Sequence, residues 1–297
     1  MRSIHVMLLS TIVLWALNLT VSKYVLTNGF LPLAYSSLRY GAAAAIFAGI
    51  ALVFERTLRI APRDLPLVAL AAGTLWVNQV AFVYALRLTT ASTVGLIFGA
   101  TTIFAALIGL AVGTERLHRR FWLGATVSFA GVALVATGAG AELSGDLAGN
   151  ALALVTVFSW AVYSVAVMPL IRRYSPSRIS AVVLGLAWAG IAATGAVTGQ
   201  VADQDLGLGW TVWGLVAFAT LGPLVLTNVF WYRILHRIGP SRATLAVNLQ
   251  PFVAAVFALV LLSERMTLPQ AAGGVLIGAG ILLARRRRAA PVVPAAE

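Results

Sequence analysis

Residues 4–26 read IHVMLLSTIVLWALNLTVSKYVL, and residues 147–170 read LAGNALALVTVFSWAVYSVAVMPL. Each is close to the roughly 20 apolar residues that carry a helix across a hydrocarbon layer. Each also has Trp-Ala near its middle, Trp15-Ala16 in the first and Trp160-Ala161 in the second. At helical spacing Thr11, Trp15, Asn18 and Ser22 share one face, and the same offset later gives Thr156, Trp160, Tyr163 and Val167. The correspondence continues in order: Gly73 with Gly222, Gln79 with Asn228, Ser92 with Ser241, Glu115-Arg116 with Glu264-Arg265, Gly124 with Gly273 and Gly131 with Gly280. Chance overlap of two Ala-, Leu- and Val-rich stretches gives apolar coincidences. It does not give Trp, Gly and Glu-Arg pairs in the same order, so the chain reads as an internal repeat.

Working outward, long apolar stretches fall near 4–26, 31–54, 66–86, 91–113, 121–138, 147–170, 179–199, 210–235, 241–262 and 268–284. The breaks hold turn formers, among them Asn28-Gly29, Pro62, Pro66, Gly145-Asp146, Ser175-Pro176 and Gly239-Pro240. The expectation is an all-α membrane protein of ten transmembrane helices. Residues 1–138 form a first five-helix repeat, 147–288 a second, and 289–297 a disordered cytoplasmic tail. Composition agrees: 60% of 297 residues are hydrophobic and 10% charged, against roughly a quarter charged in a soluble domain. With no cysteine, disulfides, thiolate chemistry and Cys-bound metals are excluded.

The formal charge of +12 comes from short runs between apolar stretches, with no aromatic-interleaved basic patch, so nucleic acid is not an expected partner. Most of the 21 basic residues fall in alternate breaks: Arg2; Arg56, Arg59 and Arg63; Arg116, Arg119 and Arg120; Arg172, Arg173 and Arg178; Arg233, Arg237 and Arg242; and Arg285 to Arg288. The other breaks carry Glu142, Asp146, Asp203 and Asp205. Positive loops stay in the cytoplasm, which puts both termini there, as an even helix count requires. A signal peptide at the N-terminus is the competing reading, but the segment has its partner at 147–170. Five helices per half make the second half enter the membrane inverted. Inverted repeats build many secondary transporters, with the substrate site near the midplane between the halves.

The stretch Asn248-Leu249-Gln250-Pro251, then Leu262-Ser263-Glu264-Arg265-Met266, Gln270, Gly273 and Gly280, resembles the end of an EamA repeat of the drug/metabolite transporter superfamily. The first half matches more loosely through Thr114-Glu115-Arg116-Leu117, Gly124 and Gly131, with Thr102 where the second has Pro251. The resemblance covers about residues 4–284. It implies helices 1–4 and 6–9 around a central cavity, with helices 5 and 10 behind. It also implies a multi-pass protein of a bacterial inner membrane that exports amino acids, of the aromatic type in one branch, or related metabolites, without a cofactor.

Ionisable groups inside spans are costly unless paired or facing water. Arg39 lies about eight residues into helix 2 and Lys23 near the end of helix 1. Arg39 reads either as a bridge to helix-end carbonyls or a partner helix, or as a ligand for a substrate carboxylate. Lys23 reads as a snorkelling cation or as a second carboxylate ligand. Their counterparts near Met168 and Leu186 are apolar. No Asp or Glu falls inside an expected span, which argues against proton-coupled cation export. The candidate substrate-binding residues are Trp15, Asn18, Arg39, Gln79, Trp160, Tyr163, Asn228, Tyr232 and Asn248, and Pro223 and Pro251 are candidate hinges. For the amides and aromatics, helix–helix glue and packing compete with substrate contact. Catalytic and metal-ligand clusters at membrane depth are not visible, which argues against an enzyme. The expected partners are a small-molecule substrate and the lipid bilayer. The Gly273-Gly274, Gly278 and Gly280 run serves helix contacts or self-association, giving a monomer or weak homodimer. Exporters of other amphipathic or anionic metabolites remain open, as does a non-transporting sensor or a channel.

Overall fold

The structure is a computed structural model describing residues 2–112, 119–137, 147–238 and 250–284. All regular elements among these residues are helical. The α-helices are α1 (Arg2–Thr27), α2 (Pro32–Glu55), α3 (Leu65–Leu88), α4 (Ala91–Phe98), α5 (Thr101–Ala111), α6 (Arg119–Thr137) and α7 (Leu147–Arg173). Then follow α8 (Pro176–Val197), α9 (Trp210–Thr220), α10 (Thr227–Ile238), α11 (Gln250–Leu261) and α12 (Leu268–Ala284). Seven helical stretches are long and apolar enough to cross a bilayer: Ile4–Thr27, Pro32–Glu55, Pro62–Leu88, Ala91–Ala111, Leu147–Arg173, Pro176–Val197 and Trp210–Trp231. The chain is therefore a multi-pass membrane protein. The tail at 289–297 and the residues before Gln250 in the expected ninth helix lie outside the described residues.

Two expected helices are interrupted, each for a local reason. The stretch 91–113 breaks between α4 and α5, where Gly99 and Ala100 donate to Leu96 and Ile97, three residues back, at 3.0 and 2.9 Å. Thr101 Oγ1 donates to the Phe98 carbonyl at 2.6 Å. Gly99 sits so close to α12 that a Cβ there would lie 2.6 Å from Ile277 Cγ2. The second break is a π-helical turn, Leu221–Leu226, between α9 and α10. Pro223 has no N–H for the carbonyl of Ala219 four residues back, and Thr227 N donates five residues back to Gly222.

Lipid tails are as apolar as Leu, so packing and hydrogen bonding, rather than removal of apolar surface from water, hold such helices together. The broadest contacts join α6 to α12, α3 to α7 and α2 to α8, each pairing a helix before residue 138 with one after 146. Between α6 and α12 the backbones nearly touch. A Cβ on Gly131 would lie 2.6 Å from the Gly273 carbonyl oxygen, and one on Gly280 2.5 Å from that of Gly124. Under the sequence equivalences Gly124–Gly273 and Gly131–Gly280, these two contacts exchange with each other. That reciprocity is the mark of a two-fold relation, and the falling and rising residue numbers make the pair antiparallel. The glycines of the last helix thus serve a contact within the chain.

α2 and α8 are also antiparallel and are fastened at both ends. Leu31 and Leu33 N, orphan donors at the start of α2, donate to Gln204 Oε1 at 2.7 Å and Gln200 Oε1 at 3.0 Å, just beyond the end of α8. At the arginine-rich end Glu55, the last residue of α2, takes Arg178 Nε and Nη2 at 3.1 and 2.7 Å together with the Ser175 hydroxyl. Ser175 caps α8 by accepting from Arg178 N at 3.2 Å, with Pro176 at the first helical position. Beside it Asp64, almost fully buried, binds Arg173 and takes the Tyr174 hydroxyl at 2.7 Å. Asp64 lies between the expected stretches 31–54 and 66–86; a 3-10 turn, Pro62–Asp64, leads into α3, so the apolar helical stretch runs over Pro62–Leu88.

Candidate functional site

Position in the first helix decides what its polar face meets. Trp15, near the middle of α1, aims its indole N–H at the π-helical turn, donating to Thr227 Oγ1 at 2.7 Å and to the Pro223 carbonyl at 3.2 Å. Its ring meets Trp160 edge-on at 6.1 Å and Trp231 at 5.3 Å, and Trp160 in turn meets Tyr163 at 5.2 Å. Three helices, α10, α1 and α7, therefore share one row of aromatic rings. Trp15 and Trp160 hold equivalent positions in the sequence repeat, and here their rings touch.

One turn along α1, Asn18 Oδ1 accepts from Arg39 Nη2 at 3.1 Å and from Ser22 Oγ at 3.4 Å. Ser22 shares a 2.8 Å hydrogen bond with the Tyr35 hydroxyl. Tyr35 precedes Arg39 by four residues and so lies on the same face of α2; its ring stands 4.9 Å from the guanidinium carbon, a cation–π contact. The circuit Asn18, Ser22, Tyr35, Arg39 closes on itself. Arg39 is 3% exposed. Its Nη2 also donates to the Ala219 carbonyl at 2.9 Å, the acceptor that Pro223 cannot serve. Nε and Nη1 of Arg39 are buried and have no hydrogen-bond partner among the described residues, nor does the hydroxyl of Ser36 one turn earlier. Arg39 thus bridges to a helix carbonyl, as one reading of the sequence expected, and still keeps donors free. A buried cation with unmet donors is costly, and an anionic guest removes that cost.

The other expected site residues distribute differently. Gln79 is buried in the α3–α7 seam, where its amide donates to Asn78 Oδ1 at 2.8 Å and Asn78 donates to the Thr156 carbonyl at 2.8 Å. Asn228 is half-buried in α10, three residues before Trp231 and on its face. The side chain of Tyr232 and the whole of Asn248 lie outside the described residues. Pro223 is buried within the π-helical turn, and Pro251 is the second residue of α11, packed against Gly95 of α4 and against Gly99 just beyond it. Lys23 is half-buried. It caps the end of α3 through the carbonyls of Leu86 and Thr89 at 2.7 and 2.8 Å. Arg87 returns the contact to the Leu26 carbonyl of α1 at 2.8 Å, so two helix C-termini exchange cations.

Tyr35, Thr227 and Asn78 were not among the expected residues. Tyr35 was detectable from its i, i+4 spacing to Arg39. Trp213 packs edge-on to Phe30 at 5.5 Å, while Trp122 and Trp210 are exposed. Glu264 of the repeated Glu-Arg pair accepts from Ala91 N at 2.8 Å, Ser92 N at 2.9 Å and Ser92 Oγ at 2.7 Å. It caps α4 of the other half with a carboxylate at a helix N-terminus.

An apolar multi-helix protein that gathers a cation, amides and aromatic rings between its helices has the make-up of a membrane protein with a buried polar site. The chain belongs to the EamA-like transporter family, which matches it twice, over residues 2–137 and 147–286. It is 24% identical over 289 residues to the uncharacterized transporter YyaM of Bacillus subtilis, covering 95% of this chain and 93% of that protein. It is 26% identical over 291 residues to a probable terminal-alkyne amino-acid exporter of Streptantibioticus cattleyicolor, covering 94% and 92%. One solved crystal structure superposes with a TM-score of 0.66 at 22% identity, covering 95% of this chain and 96% of its own, a likeness of fold. The chain is accordingly a transporter and not an enzyme.

Proposed function

We propose that the protein exports amino acids or related small metabolites that carry a carboxylate, by alternating access between two inverted five-helix repeats with both termini in the cytoplasm. The seven long apolar helices, joined by α6, α11 and α12, make the ten spans of this reading. The antiparallel α2–α8 and α6–α12 pairs, and the meeting of Trp15 with Trp160, support the inversion. One observation carries the assignment of substrate class: the buried Arg39 guanidinium has free donors beside a row of aromatic rings. The carboxylate binds at Arg39 and Asn18, and the apolar side chain lies along Trp15, Trp160, Tyr163 and Trp231. Asn228 completes the described lining, and Tyr232 and Asn248 are further substrate contacts on the sequence reading alone. Gln79 acts on α3 through Asn78. Pro223 and Pro251 mark where helices bend. The amino-acid exporter among the relatives is in keeping with this class.

Counterflow in liposomes tests the reading. Vesicles holding the purified protein and loaded with unlabelled amino acids should accumulate labelled L-phenylalanine or L-leucine, and Arg39→Ala should cut that uptake more than tenfold. Uptake by the variant equal to that of the parent, for every carboxylate in a panel of amino acids and organic anions, would remove Arg39 from the site.

A further inference from the structure

We propose that Arg39 is a latch between α2 and α9 which a bound carboxylate opens, so that occupancy of the site is transmitted to the π-helical turn. The inference rests on the carboxylate reading above and adds how binding reaches the moving part. A guanidinium offers two fork edges to a carboxylate, Nε with Nη2 and Nη1 with Nη2. Both include Nη2. In the structure the two hydrogens of Nη2 are committed, one to Asn18 Oδ1 at 3.1 Å and one to the Ala219 carbonyl at 2.9 Å, while Nε and Nη1 are unpartnered. A single oxygen can be taken by the free donors without disturbance. The two-bond grip needs a hydrogen of Nη2 and must displace one of its acceptors.

Asn18 belongs to the closed circuit with Ser22 and Tyr35 that positions the guanidinium. The Ala219 bond leaves that circuit for another helix. Releasing it breaks one contact, whereas releasing Asn18 undoes the support of Arg39 itself. Ala219 is therefore the partner that yields. Its carbonyl has no N–H at position 223 to fall back on, because that residue is proline. The freed segment must readjust within Leu221–Leu226, and this turn already carries the Pro223 carbonyl and Thr227 hydroxyl that hold Trp15. The guest thereby loosens the eighth span where it touches the aromatic row. Ser36, with its buried unpartnered hydroxyl on the same face of α2 as Arg39, gives the site a further polar group for a guest.

Amide hydrogen exchange on the full chain in lipid nanodiscs tests this, with L-phenylalanine, phenylacetate and L-phenylalaninamide as probes. The two carboxylates should speed exchange within residues 221–227 several-fold, and the amide, which has no carboxylate, should not. Pro223→Ala gives the Ala219 carbonyl an N–H of its own. That variant should bind both carboxylates about tenfold more tightly, because a hydrogen bond to a charged group no longer has to be broken, and should lose the exchange response. If the carboxylates bind and exchange in 221–227 is unchanged, or changes only around Asn18, the latch is wrong and the carboxylate site stands. If no probe binds the parent protein, the carboxylate reading falls and the latch with it.

Discussion

At the scale of single residues, the site separates side chains that work through a ring from those that work through one hydrogen bond. Trp15 does both. Trp15→Phe keeps a ring against Trp160 and Trp231 but removes the N–H shared by Pro223 and Thr227. It should cost about 1 kcal/mol, the net worth of a hydrogen bond. Trp15→Ala should cost about 3 kcal/mol through the lost packing. Thermal unfolding of the detergent-solubilised protein reads the difference, and equal shifts in Tm would mean the ring contacts contribute nothing. The amides of α3 make a second case. Asn78→Leu leaves the amide of Gln79 without its acceptor in a buried seam and should lower stability by about 2 kcal/mol. Removing both polar groups in Asn78→Leu with Gln79→Leu should recover part of that loss, since an orphaned donor costs more than an absent pair. Additive losses in the two single variants would show that the pair is not coupled.

At the scale of elements, helix ends and helix seams were legible in the sequence to very different degrees. Pro32, Pro176 and the Asn28-Gly29 turn mark where helices start and stop because the signal is local. The role of Glu264 is not local: its partners are the backbone N–H groups that open α4, in the other half of the chain, and an N–H group carries no residue type to read. Glu264→Ala should therefore destabilise by about 1–2 kcal/mol. Ser92→Ala, which removes one of three donors, should cost less, and the double variant should cost little more than Glu264→Ala alone. Arg39 stood out as a cation within an apolar run, yet one of its two acceptors is again a backbone group, the Ala219 carbonyl. The clue to that carbonyl was Pro223, four residues after Ala219, which denies it a helical donor. For the seams, the repeated glycines were visible but their facing partners were not. Gly280→Ala places a Cβ 2.5 Å from the Gly124 carbonyl oxygen, whereas at Gly185 of α8 nothing lies within 4 Å of an added Cβ. Gly280→Ala should abolish a monodisperse peak in size-exclusion chromatography. Gly185→Ala should preserve it and add up to about 1 kcal/mol through helix propensity. The two outcomes reversed would mean that α6 and α12 are not in backbone contact.

At the scale of the whole molecule, the fastenings are unevenly placed, and that unevenness says which bodies move together. α2 and α8 are tied at one end by Gln200 and Gln204 and at the other by Glu55, Ser175 and Arg178. Trp188 fills the notch over Gly41 between them. A pair closed at both ends cannot spread at either without breaking several hydrogen bonds at once. By contrast, α1 meets the α9–α10 segment through the Trp15 bonds to a π-helical turn, an irregularity common at functional sites. The expectation is that α2 and α8 stay together through the transport cycle while α9–α10 shifts against α1. The chain has no cysteine, so introduced pairs can be cross-linked without background. A short bis-maleimide joining Cys residues placed at Glu55 and Arg178, or at Leu31 and Gln204, should leave liposome counterflow within about twofold of the uncross-linked protein. The same reagent across Leu14 and Gly222, whose added Cβ would lie 3.4 Å from Leu14 Cδ2, should reduce counterflow more than tenfold. These figures assume only that a moving contact cannot be fixed without stopping the cycle. Inhibition by either α2–α8 cross-link would mean that this pair opens during transport, and the rigid body would then have to be sought in the α6–α12 seam.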